Sequence, residues 1–176
     1  MAGQTVSSEL DLRDVSLDAG SFMRSLALTM THALEEVVGL EEASGFISFV
    51  AQSLGQDIHD LYCEQLGADR VPRSCLGDVL VDLKQRIGGD FHIAEESDDR
   101  IVLGNRHCPF GSGVRGRHSL CLLTSNVFGV IASESTGYAR VELEETLAAD
   151  DMECRIVVHL RRDRGATNGR EYFADV

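Results

Sequence analysis

Apolar residues recur at helical spacing through the first half of this sequence and switch to the alternating spacing of strands from about residue 91. A chain patterned this way must pack helices onto a sheet, because neither face can be buried alone. Phe22, Leu26, Met30, Ala33, Leu34 and Val37 predict a first helix that stops at Gly39. Phe46, Val50, Leu54, Ile58 and Tyr62 step by four and predict a second, ended by Gly67. After a linker holding Pro72, Ser74 is the expected cap of a third helix with Leu76, Val79, Leu80, Leu83 and Ile87 on its apolar face, closed by Gly88 and Gly89. FHIAE and RIVLGN, separated by the turn-rich ESDD, predict a hairpin over about 91–105. His118 to Glu134 predicts a helix, and YARVELEET a strand. In the last predicted strand Met152, Cys154, Ile156, Val158 and Leu160 share one face, with Val157 the exception on the other. The fold class expected is α+β: an antiparallel sheet built from hairpins, with helices packed against it and an N-terminal helical region. The organisation expected is a loose arm over 1–17 and one domain over 18–161, with N-terminal helices over 18–70 and a cysteine-containing core over 75–161. Residues 162–176 form a polar tail in this reading.

The 176 residues, 43% hydrophobic and 26% charged, suit one globular core. No apolar run approaches the length that spans a bilayer, and no secretory leader pattern opens the chain, so a cytoplasmic protein without membrane contact is expected. In that compartment five cysteines are thiols or ligands rather than disulfides. A net charge of −13 argues against direct nucleic-acid binding. The exception to the acidity is Arg106–His118, RHCPFGSGVRGRH, with three arginines, two histidines and no acid around Cys108.

Cys108 opens a Cys-Pro-Phe-Gly loop, Cys121 lies in a helix-like run and Cys154 in a strand-like run. Three elements thus carry one thiol each, and folding alone can gather them. Zinc takes four sulfur or nitrogen ligands and iron–sulfur clusters take mainly thiolates. His118, three residues before Cys121, is the leading fourth ligand, with His107 and Cys75 as alternatives. Taken singly, Cys121 among Leu120, Leu122 and Leu123, and Cys154 among its apolar neighbours, also read as small buried hydrophobes. No Cys-x-x-Cys pair is present, so spacing alone does not decide between these readings.

Other motifs compete. Gly111, Gly113 and Gly116 fit G-x-G-x-x-G, a phosphate-cradling loop where it joins a strand to a helix in a crossover unit. The helix after this loop leads into an apparent hairpin strand, so a plain loop, or an anion clamp built on Arg115 and Arg117, is the alternative. A Cys108 nucleophile with His107 or His118 as base is the enzymatic alternative. No nucleophile elbow, zincin or Walker motif occurs. A non-enzymatic role is the expectation.

The runs NRHCPFGSGVRGRHSLCLLTSNVFGVIA and ARVELEETLAADDMECRIVVHL resemble the methanogen output domain, a small signalling domain found alone or joined to sensor kinases and PAS modules. They are similar also to the sensory region of iron–sulfur-sensing repressors and, more distantly, to 4-vinyl reductase-type ligand-binding domains. The resemblance covers about residues 75–160. It implies that Cys108, Cys121 and Cys154 form a shared site, and from the thiol set an iron–sulfur cluster or zinc is the expected occupant. The turn before Cys154 departs from the pattern, reading Asp150-Asp151 where the motif has Gly-Asp. The function implied is sensing of redox state, iron–sulfur status or a small ligand, reported to a protein partner such as a sensor kinase or PAS-containing protein. A small-molecule module with an apolar pocket and structural cysteines or structural zinc is the alternative. The first helix's apolar face is expected in the core, with a homodimer interface as its other use.

Overall fold

The structure, a computed structural model, describes residues 15–163, 165 and 167–174. Most of the arm expected over 1–17 therefore lies outside the described residues. Among the described residues four α-helices and five strands run in the order α1 (Ala19–Val38), α2 (Leu40–Leu66), α3 (Leu76–Arg86), β1 (Phe91–Glu96), β2 (Arg100–Asn105), α4 (His118–Thr136), β3 (Tyr138–Glu145), β4 (Cys154–His159) and β5 (Arg170–Phe173). The class is α+β.

Helix boundaries fall where local chemistry sets them. Asp18 caps α1 by accepting from the Ser21 N–H at 2.7 Å, and the Ser21 hydroxyl oxygen accepts from the Asp18 N–H at 2.9 Å, a reciprocal pair at the helix start. Gly67, in the left-handed region at φ 63°, ends α2. Ser74 does not cap α3. A short 3-10 turn, Arg73–Cys75, leads into the helix, and no side-chain cap is made.

The sheet order is β1-β2-β4-β3-β5, and each neighbouring pair is antiparallel. The two hairpins are joined by β4 pairing with β2, Val102 opposite Val157 and Leu103 opposite Ile156. Val157, the exception to the alternating pattern, is 2% exposed because β4 is central and Val102 and Glu142 flank it in register. The stretch read as a tail supplies an edge strand: Arg170–Phe173 pair with β3, and the Tyr172 hydroxyl lies 3.1 Å from that of Ser125 on α4.

The core lies between the sheet and α4. Phe91, Ile101, Leu103, Val141, Ile156 and Val158 meet Val127, Phe128 and Ile131 in one buried cluster, with Phe91 and Phe128 edge to face at 5.8 Å. α2 covers the far side of α4, which explains why α4 is buried nearly all round.

The α2 stripe that the sequence marks as apolar faces outward in its first half, with Phe46 and Val50 more than half exposed, while Ile58 and Tyr62 pack against the core. The residues that face the core are one position on: Ala43, Ile47, Ala51, Gly55, His59 and Cys63. The reason is close approach. A Cβ on Gly55 would fall 2.9 Å from the Val130 Cβ and 3.3 Å from the Val127 Cα, so only a small residue permits this crossing. α1 likewise buries Thr31 and leaves Phe22, Met23, Met30 and Val37 exposed.

Candidate functional site

At one end of the sheet, four stretches meet around a cavity of about 30 Å³. β1 and the end of β2 supply Phe91 and Asn105; the loop after β2 supplies Cys108, Pro109 and Phe110; α4 supplies Leu120, Cys121 and Thr124; and the β3–β4 connection with β4 supplies Thr146, Leu147, Cys154 and Ile156. The three cysteines singled out from the sequence therefore line one small space, and all are free thiols. His118 is exposed in the first turn of α4 and does not line the cavity. His107 and Cys75 do not line it either.

Local features place each sulfur. A bulge between Leu143 and Glu145 breaks the pairing of β3 with β4, and the chain turns through Leu147–Ala149 over the cavity. That turn aims the Leu147 N–H at the Cys154 sulfur, 3.4 Å away, and the Asn105 side-chain amide donates to the same sulfur at 3.8 Å. Asn105 also accepts from the Asp90 and His107 N–H groups, at 3.0 and 3.3 Å, which anchors the start of the Cys108 loop.

Asp150, the departure from the Gly-Asp pattern, has φ 66° and so keeps the left-handed backbone a glycine would take there. The basic loop is zipped to this turn. Arg115 bonds Asp150 at 2.5 Å, Arg106 bonds Glu153 at 3.2 Å, and Arg117 donates to the Gly113 carbonyl. Its charge is spent on neighbours in the fold. β2, α4 and β3 form a split crossover, because β2 and β3 run the same way with antiparallel β4 between them, so the glycine-rich loop does not join adjacent parallel strands as it does in a dinucleotide-binding unit. Gly111 and Gly116 serve turns with positive φ, and Gly113 makes room for Leu28 of α1. Leu28 packs in the same small cluster as Val114, Leu120, Cys108 and Cys121, and Glu35 of α1 accepts from the buried Ser119 hydroxyl. α1 thus lies over the cysteine loop.

Burial pushes the Cys121 thiol up to about 12, reinforced by the Cys154 and Cys108 sulfurs beside it. Burial also raises Cys108, partly offset by the Phe110 N–H. One residue of the site was missed from the sequence. Lys84 on α3 is 2% exposed; its ammonium donates to Thr124 Oγ1 at 2.9 Å and lies 5.8 and 5.1 Å from the ring centres of Phe91 and Phe128. Burial pulls its pKa down to about 8, against the attraction of the Cys108, Cys121 and Cys154 sulfurs. The signal was present: Leu76, Leu80 and Lys84 step by four, which puts a lysine on the core stripe.

The donor set fits a thiophilic centre in kind, with three sulfurs in one space, N–H donors to two of them, and a buried cation beside them. It does not show one in spacing: among the described residues no group of three or more His, Cys, Asp or Glu is arranged to hold a metal ion.

An antiparallel α+β domain with a thiol-lined pocket at the end of its sheet defines a class of small domains. The chain belongs to the methanogen output domain 1 family, whose model matches residues 26–159, well over half of its length. Among solved structures it is similar in fold to a trafficking protein particle complex subunit 3 from Naegleria fowleri, which is covalently bound to palmitic acid. That likeness has 10% identity and a TM-score of 0.53, covering 88% of this chain and 99% of that one. None of the curated proteins compared with the chain matches it. Membership of an output-domain family points to a signalling role. Among the described residues no helix is long and apolar enough to cross a membrane.

Proposed function

We propose that this domain is a non-enzymatic signalling module that senses redox or iron–sulfur status through a centre held by Cys108, Cys121 and Cys154. The observation that carries the reading is the convergence of these three side chains, from a loop, a helix and a strand, on one cavity. Bound there, an iron–sulfur cluster or a zinc ion supplies a crosslink between those three elements that oxidation or loss of the centre undoes. The chain's part is to hold the sulfurs and to transmit their release. Cys108 rides on the loop beneath α1, so drawing the three sulfurs into one coordination sphere shifts that loop and the helix packed on it. The exposed apolar side chains Phe22, Met23, Met30, Phe46 and Phe49 give the α1–α2 face the character of a partner-binding surface. The partner in this reading is a signalling protein, such as a sensor kinase or a PAS-containing protein.

Thiol chemistry favours a metal centre over the rivals, and size favours a single ion. About 30 Å³ holds roughly one water molecule or ion, whereas organic ligands occupy pockets of about 300–1,000 Å³. An acyl chain like the palmitic acid of the Naegleria protein has no room in this cavity. A nucleophilic cysteine needs a depressed pKa, and burial moves Cys108 and Cys121 the other way. A second reading rests on a larger groove of about 790 Å³ between α2, α4 and β5, which Arg170, Asn126, Gln52 and Phe173 help to line. It is of a size for a small organic ligand.

Anaerobic purification, then metal analysis and a visible spectrum, tests the first reading. Stoichiometric iron with a visible chromophore, lost in Cys121→Ser, is the expected result. Colourless protein with stoichiometric zinc would make the site structural. Metal-free protein carrying a co-purified organic ligand would move the function to the groove.

A further inference from the structure

Helix α1 turns its apolar side away from the core. A surface helix ordinarily does the reverse. The α1 side chains that face the body are Leu28, Thr31 and Glu35: Leu28 packs in the cysteine cluster, Thr31 is buried, and Glu35 accepts from the buried Ser119 hydroxyl. The opposite stripe is Met23, Leu26, Met30, Ala33 and Val37, and all five are exposed, Met30 by 62% and Val37 by 82%. Their spacing is three, four, three, four, the pattern of a coiled-coil seam, sustained over about 21 Å of helix. With Phe22 beside them they expose roughly 600 Å², so two such faces together would bury roughly 1,200 Å², the lower bound of stable, specific interfaces.

We infer that the outer stripe of α1 docks onto α1 of a second copy of this chain, antiparallel, across a twofold axis at Met30. An isologous pair sets Met30 against the partner's Met30, Leu26 against the partner's Ala33 and Met23 against the partner's Val37. Charge selects this occupant and this orientation. The stripe itself carries no ionisable group, so it offers nothing to a basic or an acidic partner. Glu35, Glu36, Glu41 and Glu42 gather where α1 gives way to α2, whereas from Ala19 to Thr31 the lone charged residue is Arg24. A parallel pair would bring the two acidic ends together; the antiparallel pair sets each beside the Arg24 end of the other. In a chain of net charge −13 that difference weighs heavily. Residues 1–14 carry no matching stripe, since their large apolar residues, Met1, Val6, Leu10 and Leu12, follow no three-four spacing. The inference goes beyond the cysteine reading and does not rest on it. It gives the α1 part of the exposed face to a second copy and leaves Phe46 and Phe49 of α2 to a signalling protein.

Sedimentation of the full-length, reduced protein over roughly 1 to 100 μM tests this, because a dimer follows mass action. Wild type sediments as a dimer at the upper end. Met30→Glu sets two carboxylates against each other at the twofold axis and weakens the dimer at least roughly 100-fold. Met152→Glu, at an apolar side chain 94% exposed in the turn before β4, leaves it unchanged. Disulfide trapping, read by mass spectrometry of the linked peptides, fixes the orientation. Met30→Cys crosslinks to itself, and Met23→Cys crosslinks to Val37→Cys when the two variants are mixed. Monomer at every concentration overturns the inference. A dimer as tight in Met30→Glu as in wild type overturns the seam. Met23→Cys crosslinking to itself as readily as to Val37→Cys overturns the antiparallel arrangement. Metal-free protein that still dimerises through Met30 supports this inference while overturning the cysteine reading alone. If thermal melts show that Met30→Glu does not fold, Met30→Lys carries the same comparison.

Discussion

In the metal-free protein the buried ammonium of Lys84 should cost stability, and removing it should restore that stability. The pKa falls from 10.5 to about 8, and each unit is worth about 1.4 kcal/mol, so at pH 7 the fold bears a penalty of about 3 kcal/mol. The folded-state value is the depressed one, so the favourable contribution is complete above about pH 10.5 and is lost as pH falls through about 8. Stability of the wild type should therefore rise by about 1 kcal/mol from pH 7 to pH 9 through this group alone. Cys121 runs the opposite way: its raised value makes its contribution complete below about pH 9 and lost as pH climbs toward 12. Cys63 and Cys108 are raised by burial as well, and these thiols begin to cost stability near pH 9, so it is the difference between wild type and Lys84→Met, in which they cancel, that isolates the lysine. Cation–π attraction to Phe91 and Phe128 returns part of the penalty, about 0.5–2 kcal/mol. Lys84→Met should then be about 1–3 kcal/mol more stable than wild type at pH 7, with the gap narrowing by about 1 kcal/mol at pH 9. Urea unfolding with reductant and chelator at pH 7, 8 and 9 measures both. A variant less stable than wild type at pH 7, or a gap that does not change with pH, would refute the argument.

Gly55→Ala should cost about 1–3 kcal/mol in urea unfolding, since its Cβ meets Val130 and the α4 backbone where α2 and α4 cross. Gly129→Ala places a Cβ 2.1 Å from the Tyr172 ring, so it should displace β5 and speed hydrogen exchange at residues 170–173. Asp150→Gly should change stability by less than about 1 kcal/mol, because relief of a left-handed aspartate offsets the lost exposed ion pair with Arg115. In metal-free protein at pH 8, Cys121 should react with iodoacetamide at least 100-fold more slowly than a free cysteine, in proportion to its suppressed thiolate; mass spectrometry of the labelled peptide tracks the rate.

Two helix ends were legible in this sequence because glycines punctuate it: Gly39 and Gly67 stand where α1 and α2 end. Helix faces were less so. Periodicity gives weight to large apolar residues, yet α2 turns Ala43, Ala51 and Gly55 inward because closeness to α4 is gained with small side chains. Strand order was not legible, since β2 finds its second partner in β4, across α4 and β3, and no local signal records that pairing. β5 was hidden by its brevity and polarity, REYF, and is held by the Tyr172 ring against Gly129. Residue type and family pattern pointed to Cys108, Cys121 and Cys154 as a group, and the three side chains line one cavity. Lys84 escaped because a lysine is read as solvated unless its neighbours on the helix are weighed first.

Several departures from good folding practice in this domain gather at one place. Around a cavity of about 30 Å³ lie three thiols held away from their ordinary state of solvation and an ammonium with no carboxylate partner among the described residues. A broken strand pairing and an aspartate in left-handed backbone stand beside them. Several ionisable groups elsewhere pair nearer the surface, Arg73 with Glu96, Arg100 with Glu95 and Arg155 with Glu144, while Arg140 is buried against Glu142 with its Nε unpaired among the described residues. A chain selected for stability alone would fill that cavity with leucine and put methionine at position 84, gaining several kcal/mol by order of magnitude. Unfavourable features that cluster, and that share one charge logic, mark a place where the sequence answers to a ligand as well as to the fold. That is why the pocket and the loop above it, rather than the larger and unstrained groove beside α2, carry the functional reading.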